Sequence, residues 1–278
     1  MDKLSALLSN FSIHAGVFFV GQLCGRNEFE RNEFHGHLHL IRKGPVQFIG
    51  IEQRTLQIDE PTLLYLPRSG NHRLIADESI GADVVCSTIQ FGSNGKNPIT
   101  DSLPSLIEIK LSEIGGIHSV LDQMVIEAFA NEDGRQALLD RFCEVLIIQL
   151  LRHFISQGIS HTGMLAGLGD PKLCKTLLAI QVDPVKSWSL NELAETAGMS
   201  RARFAVHFRE VVGETPGEYL ASWRIMLAQR LLKNGRKLKH IVDEVGYASS
   251  SALTRAFVRK LGCAPTEWLK HQAAAPVL

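Results

Sequence analysis

The chain has 278 residues, 45% of them hydrophobic, and no apolar run long enough to span a bilayer, so we expect two domains and no membrane segment. Its 29 basic and 29 acidic residues balance, but the first 170 residues contain 20 acidic and 13 basic side chains, whereas the rest, from Pro171, contains 9 and 16. We therefore expect the basic C-terminal part alone to bind a polyanion such as nucleic acid, and the acidic part to have another role.

The chain opens with a short amphipathic segment, residues 1–10, in which Leu4, Leu7 and Leu8 lie on one side. This segment lacks the charged-then-apolar order of a secretory leader. The five cysteines also lack the paired spacing of a disulfide framework. We therefore expect a cytoplasmic protein with reduced thiols.

Short strands are expected to fill residues 17–91. The apolar or alternating runs are separated by Gly, Pro, Asn and Asp, and they cover residues 37–41, 46–49, 55–58, 62–66 and 82–91. Many short strands at close spacing are typical of an antiparallel barrel or sandwich. We therefore predict a β domain in the acidic part of the chain.

Histidines occur at two places in this strand region. His35, His37 and His39 alternate and would project from the same face of a strand, and the turn 67–72 ends in His72. The two features resemble the motifs of the cupin barrel, an HxH strand and a Pro/Gly turn whose histidine points into the same cavity. The resemblance implies a cupin-like barrel with histidines in its cavity.

A divalent metal ion is one ligand that this cavity could bind. In metal-binding cupins, which these motifs resemble, a Glu a few residues after the HxH strand usually completes the ligand set, and residues 40–44 contain no Glu. Imidazole and thiolate together suit Zn²⁺, so Cys24 and Cys86 could complete a set with His37, His39 and His72. Alternatively, the histidines line a small-molecule cavity or pair with carboxylates, and the cysteines pack as hydrophobic residues.

Redox sensing is a second chemistry available to the cysteines. A thiol responds to oxidants when it is accessible and partly ionised, which a nearby cation or metal promotes. Cys24, close to Arg26 in a loop-like setting, is the best candidate by local context. Cys143 lies in an apolar helical run, and Cys174 and Cys263 are interpreted as packing residues.

Helical periodicity replaces the strand pattern after the β domain. Residues 114–130 and 136–156 place Leu, Ile, Val and Phe at spacings of three to four. Their apolar faces either cover the barrel or form a dimer. Residues 157–170, which are rich in Gly, Ser and Thr, are predicted to connect the two domains.

A 49-residue repeat organises the basic part of the chain. Its apolar anchors, glycines and prolines recur in order, with Phe204, Phe208, Gly213 and Pro216 in the first copy and Leu253, Phe257, Gly262 and Pro265 in the second. Helix, glycine-containing turn and second helix are typical of a helix-turn-helix unit, and the copies cover about residues 189–212 and 238–261. Ser189, Ser200 and Ser249 are predicted helix caps. A helix at 216–232, begun by a capping box, is long enough to separate the units by a fixed distance.

The last hundred or so residues closely resemble the AraC/XylS family of transcription regulators. The similarity rests on both helix-turn-helix units and on the run 241–269, where turn, cap, aromatic anchor, glycine and proline fall at the family's spacing. It implies a factor that binds double-stranded promoter DNA with two recognition helices in successive major grooves, and that contacts RNA polymerase. Within the family the chain is most similar to the reactive-chlorine-sensing activators, which implies oxidant sensing through Cys24 and Cys86. The resemblance also implies a homodimer formed by the N-terminal half.

The expected fold class is α+β in two domains, an N-terminal cupin-like β-barrel followed by helices and a C-terminal all-α double helix-turn-helix. The sensor domain is assigned to residues 1–160, the linker to 161–171 and the DNA-binding domain to 172–278. We expect a regulator rather than an enzyme, because the usual ligand Glu is missing and no other acid/base group of residues stands out. The alternatives are a regulator that binds a small organic ligand and a metal-dependent cupin enzyme fused to a DNA-binding domain.

The two units are expected to contact bases differently. In the second unit, Arg255 can pair bidentately with a guanine or contact a backbone phosphate. The first unit has Ala202, Ala205 and Val206 at matching positions, which can touch a thymine methyl group but cannot donate hydrogen bonds. The predicted DNA contacts are Arg201, Arg203, His207, Ser249, Ser250, Ser251, Thr254, Arg255 and Arg259.

Overall fold

The computed structural model describes residues 2–32, 35–50, 54–68, 70–92, 97–130 and 132–273. The chain divides into two compact units, one formed by Phe11–Ser160 and the other by Met1–Asn10 together with His161–Leu278. The first unit is rich in strands and the second is helical, which confirms the α+β fold class. Within the described residues, no helix combines the length and the apolar character needed to cross a bilayer.

Two antiparallel sheets form the β-rich unit. Among the described residues, one sheet contains, in spatial order, β1 (Ile13–Leu23), β8 (Ala82–Phe91), β3 (Gly36–Lys43), β6 (Thr62–Leu66) and β9 (Ile107–Lys110). The other contains β2 (Gly25–Phe29), β7 (His72–Ala76), β4 (Val46–Ile49) and β5 (Thr55–Ile58). The predicted strands correspond to β3, β4, β5, β6 and β8. The other strands are short or are interrupted by glycine and polar residues, so their apolar pattern is weak.

The inner faces of the two sheets pack into one apolar core. Leu64 and Leu66 of β6 and Val84 of β8 are buried there with Phe48 of β4 and Leu74 of β7. Core residues recur at every second position of a strand, as the pleat requires. Burying each such side chain contributes about 1.5–3 kcal/mol, and this packing fixes where β3, β7 and β8 place their inward side chains.

The described part of this unit also contains the helices α2 (Pro98–Asp101), α3 (Ile117–Phe129) and α4 (Arg135–Gln157), and α4 packs on β1. A β-bulge interrupts the β1–β8 ladder between Val17 and Phe19. Asp140 Oδ1 accepts a bond from the Val17 N–H at 2.9 Å, and Gln136 Nε2 donates to the Val17 carbonyl at 2.7 Å. Side chains of α4 therefore satisfy the hydrogen-bonding groups of the bulge backbone. The bulge also changes the direction of the Phe18 side chain relative to a regular strand.

The helical unit contains α1 (Lys3–Leu8), α5 (Met164–Gly169), α6 (Leu173–Val182), α7 (Leu190–Thr196), α8 (Arg201–Val212), α9 (Pro216–Lys233), α10 (Leu238–Ile241), α11 (Ser250–Leu261) and α12 (Pro265–Ala273). Helices α7 and α8 form the first helix-turn-helix unit, α10 and α11 form the second, and α9 lies between them in sequence. The sequence pattern predicts a helix over 238–245 here, whereas α10 ends at Ile241. Turns replace the second half of the predicted helix, with hydrogen bonds from the Val245 N–H to Ile241 and from the Tyr247 N–H to Val242, each at 3.0 Å.

The predicted linker 161–171 contains helix α5, whose Met164 and Leu165 are buried. A Cβ atom at Gly167 would lie 2.8 Å from Cδ2 of Leu177 and 3.1 Å from Cγ2 of Val212. Glycine therefore marks a close contact between helices here, whereas the sequence pattern was typical of a flexible connection.

Residues 2–10 pack within the helical unit, whereas the sequence pattern places this segment in the sensor domain. Leu4 and Leu7 of α1 are buried, and Lys3 Nζ donates to the Leu168 carbonyl at 2.9 Å. At the end of the segment, Arg230 donates to Asn10 Oδ1 at 2.8 Å. Periodicity alone indicates the amphipathic helix but not the surface that its apolar side covers.

Candidate functional site

Three histidines from the two sheets converge inside the β-rich unit. His37 and His39 lie on β3, and His72 begins β7 in the other sheet. One ring nitrogen of each lies within 4.8 Å of the other two, and all three side chains are buried. Among the described residues, no carboxylate or thiol completes this group at the same distance. The structure thus brings together the three histidines that the sequence motifs indicated.

A line of hydrogen bonds passes through this histidine cluster. His72 Nδ1 donates to the Gly70 carbonyl at 2.7 Å, which leaves its Nε2 as an acceptor. That atom lies 2.8 Å from Nε2 of His39, and Nδ1 of His39 lies 3.1 Å from Sγ of Cys86. All three bonds are satisfied when the Cys86 thiol donates to His39 and His39 donates to His72.

Burial favours the neutral form of these histidines. Burial, followed by the proximity of His72, lowers the pKa of His37 to about 4. The same causes, in the same order, hold the pKa of His39 well below its ordinary value. Burial also lowers the pKa of His72, although its bond to Gly70 acts in the opposite direction. Nδ1 of His37 is buried without a hydrogen-bond partner. A set of neutral imidazoles with unused binding capacity fits a divalent metal ion, Zn²⁺ in particular.

Two phenylalanines adjoin the histidine cluster. Phe29, which pairs with His72 between β2 and β7, stacks on the His72 ring with centroids 5.0 Å apart and an interplanar angle of 12°. Phe18, in the bulge of β1, lies 6.2 Å from the His37 ring and 6.1 Å from Phe29. Its side chain is 50% exposed, so Phe18 forms a partly exposed aromatic wall beside the cluster. The sequence does not single out either residue, because a bulge has no clear signal in a strand pattern.

The two cysteines predicted to join the histidines lie in different places. Cys86 is buried on β8 opposite His39, and burial raises its thiol pKa to about 12. Cys24 is exposed between β1 and β2, beside Gly81. The residue after Gly81 starts β8, and Cys86 lies four positions further on, about 13 Å at roughly 3.3 Å per residue. Cys24 therefore lies apart from the cluster, and it is too far from Cys86 for a disulfide, which requires Cα atoms within about 7 Å.

The recognition helices α8 and α11 begin and end alike. Each follows a serine N-cap, Ser200 or Ser249, and each ends at a glycine with a left-handed backbone, Gly213 or Gly262. The Ser249 hydroxyl accepts a bond from the Ala252 N–H at 3.2 Å, whereas Ser200 makes no such side-chain bond. The 49-residue repeat therefore produces two helices with equivalent ends.

Most of the predicted DNA contacts on these helices are exposed. On α11 and its cap, Ser249, Ser250, Ser251, Arg255 and Arg259 are exposed and Thr254 is half-buried, and on α8 Arg201 and Arg203 are exposed. Val206 is 59% exposed on α8, so an apolar side chain is available in the first unit where the second offers a guanidinium. Polar and cationic side chains therefore dominate the free face of α11.

His207 has a partner inside the helical unit. Its Nε2 lies 2.8 Å from Oδ2 of Asp170, which also accepts bonds from the N–H groups of Lys172 and Leu173 before α6. This hydrogen bond connects α8 to the start of α6, and the DNA contact predicted for His207 stays a prediction. The sequence does not indicate Asp170 as this partner, because its context is typical of a linker.

Both parts of the chain match known families. Residues 2–156, more than half of the chain, match the family described as Cupin. Residues 193–271, which include both recognition helices, match the family described as Helix-turn-helix domain. Domains of the second kind, of the AraC type, bind double-stranded DNA.

Two relatives match nearly the whole chain. The HTH-type transcriptional regulator AlkR of Acinetobacter baylyi is 33% identical over 96% of this chain and 99% of its own. The RCS-specific HTH-type transcriptional activator RclR of Escherichia coli K12 is 29% identical over 96% and 97% of the two chains. Among solved structures, fatty-acid-bound ToxT from Vibrio cholerae is similar over 96% of this chain and 98% of its own, with 15% identity and a TM-score of 0.43. The chain belongs to the AraC-like transcription regulators, with an N-terminal cupin domain and a C-terminal helix-turn-helix domain.

Proposed function

We propose that the protein is a cytoplasmic transcriptional activator that responds to a signal through a divalent metal ion, Zn²⁺ being the best suited, at His37, His39 and His72. DNA binding follows from the family. The metal site is supported by one observation, the convergence of three buried histidines from two different sheets. The relative RclR is named an activator, which supports the same direction of regulation here and RNA polymerase as a partner.

The neighbours of the histidines would set their orientation toward the ion. When bound, the ion supplies a positive charge and a connection between the two sheets. To offer Nε2, His39 must have its ring hydrogen on Nδ1, which then donates to Cys86 Sγ. His72 already donates from Nδ1 to Gly70 and so leaves Nε2 available. Gly70 therefore selects the tautomer of His72 that exposes Nε2, whereas binding of the ion would require His39 to move its hydrogen from Nε2 to Nδ1, with Cys86 Sγ as the acceptor.

The first candidate signal is an oxidant, because the cysteines offer thiols that oxidants can modify. The relative RclR is named an RCS-specific activator, which agrees with this signal. Cys24 is the exposed thiol and would meet an oxidant first. Cys86 is buried in contact with His39, so oxidation there would remove a hydrogen bond from the histidine cluster. This contact offers a physical link between thiol chemistry and metal occupancy.

Metal quantification on the anaerobically purified full chain tests the site. We expect about one Zn²⁺ per chain by elemental mass spectrometry, and loss of most of it in His37→Asn, His39→Asn or His72→Asn. His118→Asn, which removes an exposed histidine of α3, is the matched control and should retain the ion. A metal content far below one, or one that the three cluster variants leave unchanged, would contradict the proposal.

An organic ligand is the second candidate signal, and the partly exposed Phe18 beside Phe29 and His37 favours it. Native mass spectrometry of the full chain would detect such a molecule as a mass adduct lost in Phe18→Ala but kept in His72→Asn. A metal-dependent enzyme has less support, since the relatives are named as regulators. In the described part of the chain, moreover, no acidic residue belongs to the histidine group.

We also propose a homodimer formed through α3 and α4. Four large apolar side chains of these helices are exposed, Ile126 at 64%, Phe129 at 72%, Leu138 at 46% and Val145 at 44%. Apolar residues that cluster on two neighbouring helices are typical of a protein interface. This proposal agrees with the dimerisation that the family resemblance implies.

A further inference from the structure

Arg224, in the middle of α9, contacts main-chain groups far away in sequence. Its Nε donates to the Pro184 carbonyl at 2.6 Å, and its Nη2 donates to the carbonyls of Val185 at 3.2 Å and Lys186 at 3.1 Å. A guanidinium can serve several carbonyls at once because its donors form a rigid planar fork. One side chain thus binds three successive carbonyls of the segment 184–186.

The segment 184–186 leads directly into the first helix-turn-helix unit. Trp188 Nε1 donates to the Asp183 carbonyl at 2.9 Å, which closes the segment into a compact turn. Ser189 and Glu192 then form a capping box at the start of α7. The position of these carbonyls is therefore coupled to the position of α7 and, through the turn 197–200, to α8.

The same guanidinium also contacts the second unit. Its central carbon lies 5.7 Å from the centroid of the Tyr247 ring, a distance at which a cation is attracted by an aromatic face. A Cβ atom at Gly246 would lie 2.8 Å from Nη2 of Arg224 and 2.9 Å from Cα of Val185. Gly246 is therefore in close contact with both Arg224 and the segment 184–186, and its left-handed backbone (φ +74°) also favours glycine.

We propose that Arg224 is a positioning residue that sets the distance between the two recognition helices, α8 and α11. Each helix binds one DNA segment, here called a box, so Arg224 also sets the spacing of the two boxes that the chain selects. Two such helices on one side of DNA must meet major-groove segments about 34 Å apart. One base pair more or less moves a box by about 3.4 Å. A junction that binds both units limits how far they can adjust to such a shift. The inference rests on DNA binding, which the family shows, and it is independent of the metal site.

The test measures binding of the full-length protein as a function of spacing. A two-box duplex is first selected from a random library with the wild-type protein, and spacers from two base pairs shorter to two longer are then compared by fluorescence anisotropy. We expect the wild type to lose about tenfold in affinity for each base pair away from the best spacing. Arg224→Gln should reduce this loss to about threefold or less, with weaker binding at the best spacing. Arg224→Lys should give an intermediate result, because it keeps the charge but not the fork.

Arg230→Gln is the matched control, since Arg230 also lies on α9 and also donates to main chain, but to Ser9 in the segment 1–10. Its spacing preference should equal that of the wild type. Tyr247→Leu removes only the aromatic contact and should weaken the preference less than Arg224→Gln, which keeps the test informative if Arg224→Gln fails to fold. A spacing preference in folded Arg224→Gln or Arg224→Lys equal to that of the wild type, or a uniform loss at all spacings, would overturn the proposal.

Discussion

Val206 and Arg255 occupy the same position on equivalent recognition helices, 49 residues apart, and both side chains are exposed. Helices α8 and α11 start at Arg201 and Ser250 and end at Val212 and Leu261, so each matched pair keeps the same separation. One unit therefore presents an apolar side chain at the point where the other presents a guanidinium.

The first prediction concerns this asymmetry. Arg255→Ala should weaken binding to selected promoter DNA by about 10- to 100-fold, since a bidentate arginine–guanine contact contributes about 1–3 kcal/mol of discrimination. Val206→Ala removes two methyl groups and no charge, so it should leave the salt dependence of binding unchanged. Anisotropy titrations at several salt concentrations measure both effects. Equal losses on specific and random DNA in Arg255→Ala would assign Arg255 to the phosphate backbone instead.

The second prediction separates stability from DNA contact at His207. His207→Gln should lower the free energy of unfolding by about 1 kcal/mol, because a more flexible amide replaces the imidazole in the partly buried hydrogen bond to Asp170 and weakens it. The salt slope of DNA binding should stay the same, since the side chain is bound within the protein. Urea unfolding and salt titrations measure the two quantities, and Arg203→Gln is the contrasting variant that should reduce the slope. A reduced slope in His207→Gln with unchanged stability would instead support the predicted DNA contact of His207.

The third prediction is a pH dependence of stability in the metal-free protein. The pKa of His37 is about 4 in the folded chain, against an ordinary value of 6.5, so between these values the unfolded chain binds a proton that the folded chain does not. The contribution of His37 to the free energy of unfolding should therefore be at its maximum above pH about 6.5. It should fall toward pH 4, by on the order of 3 kcal/mol for this group alone. Urea titrations of wild type and His37→Asn at several pH values measure the slope. A wild-type curve no steeper than that of the variant would argue against burial of a neutral imidazole.

The fourth prediction concerns thiol reactivity. Brief alkylation of the reduced native protein at pH 8 should label Cys24, which is exposed, much faster than Cys86 or Cys143, which are buried and whose pKa values burial raises to about 12. Peptide mass spectrometry measures the labelled fraction of each residue, and denatured protein provides the reference for full labelling. Cys86 labelling at the rate of Cys24 would show that the β-rich unit opens readily.

The fifth prediction tests the proposed dimer. Phe129→Asp should shift the full chain from dimer to monomer in sedimentation velocity, because a charge would replace an apolar side chain at the interface. Val182→Asp alters an equally exposed apolar residue (69%) at the end of α6, in the helical unit, and serves as the control. An unchanged sedimentation coefficient in Phe129→Asp would exclude this surface as the interface.

Sequence patterns predict the local elements of this fold well, whereas they predict its long-range contacts poorly. The histidine motif on β3 predicts a cluster because alternation and turn position are local properties. The position of Cys24 depends on the register between β1 and β8, which local pattern does not specify. The bulge at Phe18 likewise depends on its partners in α4, Asp140 and Gln136, over a hundred residues away. The sequence therefore identified the three histidines but not their aromatic neighbours.

The glycine and polar content of residues 161–171 predicts a flexible linker, whereas the structure contains a packed helix there. Residues 161–171 have the composition of a linker, yet Gly167 permits close packing between α5 and α6. Asp170 binds His207 rather than solvent. Composition reports the conformational freedom of a segment in isolation, and here tertiary contacts remove that freedom.

Helix α1 has consequences for the order in which the protein can fold. Lys3 and Asn10 have partners 165 and 220 residues further along the chain, at Leu168 and Arg230. During synthesis Lys3 and Asn10 leave the ribosome before the strands of the β-rich unit. Leu168 and Arg230 leave it after those strands, which can therefore pair with one another first. The β-rich unit can thus mature first, and the helical unit closes only after α9 has been made. A fragment limited to residues 171–278 would lack α1 and α5 and leave their apolar contacts on α6 in water, so DNA-binding measurements are best made on the full chain.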